Sequence, residues 1–114
     1  WKVYKNYGRD KTNIDVIEWI KEISKFGVGE ILLTSIDYEG LGMGYDIDLY
    51  KSVREITNIP LIASGGFGKC QHIQDLYKIV NIDAISISKQ LHYGNLTIIE
   101  IKKFCNDNKI KVRL

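Results

Sequence analysis

The chain has 114 residues, 45% of them hydrophobic and 26% charged, which is typical of one globular domain and excludes a wholly disordered segment. Its net charge of +2 and the lack of a lysine or arginine stripe argue against nucleic acid as a partner. The apolar runs are too short to cross a membrane. Cys70 and Cys105 match no metal or redox spacing, so we expect no metal, no cofactor and a reducing, cytoplasmic location.

The first 30 residues are predicted to contain one strand and one helix. "WKVYKNY" alternates like a strand already under way, and since Trp1 is not an initiator residue we expect a longer protein. "GRDKTN" is predicted to be a polar turn, in which Thr12 and Asp15 resemble a capping box. A helix closed by glycine is then predicted from the spacing of Val16, Ile20, Ile23 and Gly27.

Three further strands are predicted from short, continuous apolar runs, which are typical of parallel strands covered on both faces. They read "EILLTS", "PLIAS" and "DAISIS". Each is followed by apolar residues at helical spacing, over residues 49–56, 73–80 and 98–105, and Thr97 with Glu100 forms a possible capping box before the last helix. Strands that alternate with helices predict an α/β fold with a parallel sheet.

Two parallel-sheet architectures are compatible with this order: an open doubly wound sheet and a closed (βα)₈ TIM barrel. The stretch "SGGFGK" lacks the spacing of a dinucleotide-binding turn and lies late in the chain. A barrel instead binds phosphate with the loops that follow its last two strands. The position of the glycines therefore favours the barrel.

The glycines that end the strand "PLIAS" are candidate phosphate ligands. Gly65 and Gly66 have no Cβ, so an anionic oxygen can approach their N–H groups closely. The next strand ends at Ser88, and Lys89 follows with one positive charge. We predict that the two loops bind a phosphate together. A plain tight turn is the alternative interpretation.

The loop over residues 34–46 carries three carboxylates, Asp37, Glu39 and Asp46, after a predicted strand. A carboxylate at the mouth of a barrel can act as a general acid or base when its pKa is raised by burial. The alternative is that these are solvated loop residues. His92, after the last strand, is predicted to pack or to cap a helix.

Several stretches, in order along the whole chain, resemble the cyclase subunit of imidazole glycerol phosphate synthase. They read "GEILLTSIDYEG", "GYD", "IPLIASGGFG", "DAISIS", "HYG" and "VRL". "GEILLTSID" separates this family from the related isomerase of the same pathway. The family fold is a (βα)₈ barrel of ~250 residues. The resemblance implies that residues 1–114 form its C-terminal half, about strands five to eight.

The resemblance also implies an activity in histidine biosynthesis. A glutaminase partner docks on the N-terminal face of the barrel and releases ammonia, which passes through the barrel. At the other face the ammonia reacts with a bis-phosphorylated ribotide to give imidazole glycerol phosphate and an aminoimidazole carboxamide ribotide. The two aspartates that serve the family as its acid–base pair end the first and fifth strands and lie outside these 114 residues.

Several site residues follow from the resemblance, position by position. Glu39 and Thr34 are the candidate catalytic residues at the mouth, and Glu30 matches a glutamate at the entrance to the ammonia channel, where it would act as a gate. The candidate phosphate ligands are Gly40, Ser64, Gly65, Gly66, Ser88 and Lys89.

Three departures from the family pattern leave a second function open. The chain reads "DYEGL" where the family usually reads "DRDGT", so Glu39 replaces an aspartate and Leu41 a threonine, and Lys89 replaces a serine. The alternative is a divergent relative that delivers ammonia to a sugar amidotransferase during surface-polysaccharide synthesis. The phosphate loop argues for the cyclase.

A half-barrel is expected to need a partner. Helices can cover only its outer face, so its inner face would be left wet. The strands that need cover on both faces carry Ile31, Leu33, Leu61, Ile62, Ile85 and Ile87. We therefore expect residues 1–114 alone to self-associate and to be inactive as a cyclase.

Overall fold

The chain folds into five strands and five helices. The strands form two separate sheets, and helices pack on one of these sheets. The computed structural model describes all of residues 1–114. The strands are β1 (Lys2–Lys5), β2 (Asp10–Asp15), β3 (Ile31–Thr34), β4 (Leu61–Ser64) and β5 (Ala84–Ser86). The helices are α1 (Val16–Ser24), α2 (Ile47–Arg54), α3 (Cys70–Ile79), α4 (Lys89–His92) and α5 (Ile98–Asp107).

The N-terminal strand does not join the parallel sheet. β1 pairs with β2 in an antiparallel hairpin, so the predicted polar turn over residues 8–13 is wrong from residue 10 onward. The hairpin is mostly solvent-exposed. Its second strand therefore carries polar residues and has no apolar alternation by which to recognise it.

The predicted capping box of Thr12 and Asp15 is also wrong. The Thr12 hydroxyl instead donates to the carbonyl of Val3 across the hairpin, at 2.6 Å. Asp15 is itself the N-cap of α1 and accepts from the N–H groups of Ile17 and Glu18.

The other sheet has three parallel strands in the order β3–β4–β5. Ile31 pairs with Leu61, and Ile62 pairs with Ala84. Three parallel strands are present where the sequence predicted four. The predicted α/β fold of parallel strands alternating with helices is confirmed, and this open sheet is what part of a TIM barrel would have.

The core lies between this sheet and the helices. Leu61 and Ala63 on β4 are fully buried against residues of the helices such as Leu49, Val53 and Leu76. Alternate strand residues point to the opposite face of a sheet, and there Leu32 is 60% exposed. One face of the sheet is therefore covered and the other is open.

The four predicted helices are present as α1, α2, α3 and α5. The capping box at α5 is confirmed: Thr97 Oγ1 accepts from the Glu100 N–H, and the Glu100 carboxylate accepts from the Thr97 N–H. The single turn α4 was not predicted because four residues are too few to show helical periodicity. None of the helices has the length and apolar character required to cross a membrane.

Candidate functional site

The loops that follow β3, β4 and β5 meet at a small pocket of about 30 Å³, here called the strand-end pocket. Parallel strands end at the same edge of a sheet, so the loops that follow them converge there. The pocket is lined by Glu39, Gly40, Ser64, Gly65, Gly66, Phe67, Ser86, Ile87, Ser88 and Lys89.

Seven of the nine predicted site residues line this pocket, and two do not. Thr34 ends β3 but lines a neighbouring cavity of about 240 Å³, together with residues of the hairpin such as Lys2 and Lys11. Glu30 precedes β3 and so lies at the opposite end of that strand, where it is exposed and forms no ion pair. Phe67, Ser86 and Ile87 are lining residues that the sequence did not indicate.

The backbone at the end of β4 supplies two free donors. Gly65 and Gly66 are buried, with φ of 91° and 103°. Their N–H groups donate to no acceptor in the protein. Consecutive N–H groups in such a turn form a concavity that suits an anionic oxygen. The geometry is therefore compatible with a phosphate ligand.

The glycines at this turn have a second role, which is to let another loop approach. A Cβ on Gly66 would lie 1.8 Å from the carbonyl oxygen of Gly44, and a Cβ on Gly68 would lie 1.9 Å from that of Gly42. The Gly44 N–H donates to the Gly66 carbonyl at 2.8 Å. Any larger residue at Gly66 would displace this loop, so such a variant cannot isolate phosphate binding.

The side-chain charges at the pocket balance. Lys89 Nζ donates to the carbonyl of Gly40 at 2.5 Å and thereby joins the loops after β3 and β5. The Glu39 carboxylate lies against Gly65, since a Cβ there would come within 3.0 Å of Glu39 Oε2. Because the pocket is lined by one lysine and one glutamate, its side chains add no net charge, and we expect the N–H groups to contribute most of the attraction for a phosphate.

The three carboxylates of the loop over residues 34–46 have separate environments. Asp46 is the N-cap of α2, where it accepts from the Leu49 N–H at 3.1 Å and from Trp1 Nε1 at 2.9 Å. Asp37 lines the neighbouring cavity with Thr34. Only Glu39 of the three therefore lines the strand-end pocket.

His92 packs edge to face on Tyr93, with ring centroids 5.2 Å apart. Both rings are exposed, so a packing or capping role for His92 stays a prediction.

Tyr50 is a site residue that sequence reasoning missed. Its hydroxyl lies 2.8 Å from the Leu33 carbonyl oxygen and 2.6 Å from that of Ser64, and it accepts from the Ser64 N–H at 3.1 Å. Burial raises the pKa of Tyr50 to about 12. In the sequence it looks like one of seven ordinary tyrosines. A buried phenol usually finds a hydrogen-bond partner, but no apolar spacing in the sequence marked Tyr50 as buried.

Comparison with known proteins agrees with the resemblance seen in the sequence. The family profile described as "Histidine biosynthesis protein" matches residues 2–97. The chain is also 41%, 46% and 45% identical to proteins named "Imidazole glycerol phosphate synthase subunit HisF" from Nostoc sp., Methanococcus maripaludis and Pyrococcus furiosus.

These alignments cover 100% of this chain but only 44%, 42% and 45% of the three relatives. The chain therefore spans less than half the length of the curated relatives it matches. The profile, in contrast, extends over most of the chain, from the hairpin to the start of α5. The chain belongs to the histidine biosynthesis protein family.

Proposed function

We propose that the chain is the C-terminal half of the barrel of a cyclase subunit of imidazole glycerol phosphate synthase. In this proposal β3, β4 and β5 are the sixth to eighth barrel strands. The observation that carries it is the strand-end pocket, where the loops after β4 and β5 bring together the free N–H groups of Gly65 and Gly66. The same two loops of a TIM barrel are a frequent phosphate site.

Five of the residues that line the pocket are proposed to bind a substrate phosphate. In the proposal Gly65 and Gly66 donate their N–H groups to phosphate oxygens, and Ser64 and Ser88, which line the pocket, add hydroxyl contacts. Lys89 supplies the only lysine charge in the pocket. Glu39 is exposed, as a solvated loop residue would be, and in the proposal its carboxylate exchanges protons with the reacting part of the substrate.

The reaction joins ammonia to a bis-phosphorylated ribotide and yields imidazole glycerol phosphate and an aminoimidazole carboxamide ribotide. Ammonia comes from a glutaminase partner on the opposite face, where Glu30, just before β3, gates its entry. The relatives' name, which describes a subunit, supports a partner of this kind. The free thiols of Cys70 and Cys105 support a cytoplasmic location.

Delivery of ammonia to a sugar amidotransferase has less support. It would not use the strand-end pocket, whose lining includes the free N–H groups of Gly65 and Gly66. The curated relatives quoted above carry the synthase name. The replacements at Glu39 and Leu41 are the remaining argument for it, and we do not adopt it.

An assay of the full-length protein with ammonium salts and the bis-phosphorylated ribotide tests the proposal. Formation of imidazole glycerol phosphate is expected. Lys89→Ala should raise KM about fivefold, because a charge-assisted hydrogen bond to phosphate contributes on the order of 1 kcal/mol. Lys78→Ala, on an exposed position of α3, is the matched control and should leave KM unchanged. No product with ammonium salts would favour ammonia delivery instead.

A further inference from the structure

The end of β4 is held by a hydroxyl that comes from a helix. Tyr50 lies on α2 and is fully buried, and its hydroxyl is placed between the last residues of β3 and β4. It contacts the carbonyl oxygens of Leu33 and Ser64 and accepts from the Ser64 N–H. Both polar groups of the Ser64 backbone are therefore bonded to one side chain.

We propose that Tyr50 is a positioning residue for the strand-end pocket, because its hydroxyl sets the direction of the Gly65 N–H toward a bound phosphate. This inference rests on the proposed function, since it assumes that phosphate binds there. Tyr50 itself does not line the pocket and would act only through the backbone.

The planarity of the peptide bond connects the two groups. The Ser64 carbonyl and the Gly65 N–H belong to one peptide unit, and every peptide bond in the chain is trans. In a trans peptide these two groups point in opposite directions. The Ser64 oxygen points toward β3, where it accepts the Ser35 N–H, so a hydroxyl that holds this oxygen there holds the Gly65 N–H on the opposite side of β4.

Glycine makes such an anchor necessary. Gly65 has a φ of 91°, and a residue without a Cβ has few steric limits on its backbone angles. The turn itself therefore does not determine where the N–H points. A second bond, from the Ser35 N–H to the Ser64 oxygen at 3.1 Å, supports the same peptide unit from β3.

The Tyr50 ring is fully buried in the core, which holds the hydroxyl in place. The ring packs edge to face against Tyr45, with centroids 6.2 Å apart. A phenol is protonated at neutral pH, and burial raises the pKa of Tyr50 further, to about 12, so the hydroxyl stays both donor and acceptor. No other side chain bonds to the Ser64 carbonyl.

Tyr45 offers a matched control. It is also a tyrosine, is only 6% exposed and touches Tyr50. Its hydroxyl, however, has no hydrogen-bond partner. Removing that hydroxyl changes the volume of the core as Tyr50→Phe does but breaks no bond.

The test compares Tyr50→Phe with Tyr45→Phe in the full-length protein, titrated with inorganic phosphate below the unfolding temperature of both variants. Tyr50→Phe should weaken phosphate binding about fivefold, the factor that corresponds to one hydrogen bond. It should also shift the ¹⁵N-amide resonance of Gly65 before phosphate is added. Tyr45→Phe should change neither. A role confined to stability would lower the unfolding temperature and leave the affinity of the folded protein unchanged, which would overturn the proposal.

Two further outcomes separate this inference from the proposed function. If phosphate does not bind the unmodified protein, the proposed function fails, while an unshifted Gly65 resonance in Tyr50→Phe separately overturns the positioning role. If Tyr50→Phe does not fold, 3-fluorotyrosine placed at position 50 preserves the bond. Phosphate should then shift its ¹⁹F resonance but not that of 3-fluorotyrosine at position 45. An equal response at the two positions would also overturn the proposal.

Discussion

At the scale of single residues, the glycines after β4 show how a bare backbone can serve two purposes. Gly66 and Gly68 are glycines because the loop at residues 42–44 packs directly on them. The N–H groups of Gly65 and Gly66 remain free for a ligand. Both functions depend on the lack of a Cβ, so the need for glycine alone does not distinguish them.

The close approach at Gly68 predicts a loss of stability in Gly68→Ala. The new Cβ would meet the Gly42 carbonyl oxygen, and such overpacking costs about 1–3 kcal/mol. Gly29→Ala is the control. Like Gly68, Gly29 has no positive φ, but a Cβ at Gly29 meets nothing within 4 Å. Urea unfolding of the full-length protein measures both. Equal unfolding free energies for the two variants would mean that the loop at residues 42–44 moves away without cost.

The buried phenol of Tyr50 predicts a loss of stability at high pH. Burial raises its pKa from 10.0 to about 12, so the folded state keeps its proton where the unfolded state loses it. The contribution of the protonated Tyr50 to the free energy of unfolding is complete below pH 10 and is lost as the pH rises from 10 to 12. The loss amounts to about 3 kcal/mol. Between pH 10 and 12 the free energy of unfolding should fall less steeply in Tyr50→Phe than in the unmodified protein. Identical slopes in the two proteins would contradict the raised pKa of Tyr50.

At the scale of elements, the strands and helices of the parallel sheet could be predicted because burial leaves a pattern. β3 and β4 coincide with continuous apolar runs, and the four longer helices have apolar residues at helical spacing. The hairpin strand β2 could not be recognised, because it has no buried face and therefore no alternation of apolar and polar residues. The convergence of Gly40, Gly65 and Lys89 was predictable from strand order alone. The Tyr50 anchor was not, because it depends on which way one helical residue faces.

β3 separates two of the proposed functional positions, Glu30 at its start and Glu39 beyond its end. A strand of four residues spans about 13 Å. In the complete enzyme, Glu30→Ala should therefore uncouple glutamine hydrolysis from ammonia use and leave activity with ammonium salts intact. Rates with both ammonia sources measure this, with Glu55→Ala, an exposed residue after α2, as control. An equal fall in both rates would argue against a gate.

At the scale of the whole molecule, the parallel sheet is open. The face that carries Leu32 is not covered by helices, and β3 and β5 each have an unpaired edge. Exposed apolar surface and free strand edges both favour association. In a closed barrel the remaining strands would cover the exposed apolar face and pair with the free strand edges.

Residues 1–114 produced alone should therefore form dimers or larger species and show no cyclase activity. Sedimentation at tens of micromolar protein gives the mass. Leu32→Lys should shift the population toward the monomer, whereas Lys103→Ala, on the exposed side of α5, should not. A stable monomer of the unmodified chain would mean that the open face needs no partner and would weaken the half-barrel assignment.

The most direct test of the account is whether phosphate binds at the strand-end pocket of the full-length protein. Titration with inorganic phosphate should shift the ¹⁵N-amide resonances of Gly65 and Gly66 along one saturating curve. The resonances of Gly27 and Gly29, which lie before the start of β3, should stay fixed. Unchanged resonances at Gly65 and Gly66 at tens of millimolar phosphate would contradict the account, because the pocket would then have no part in holding the substrate.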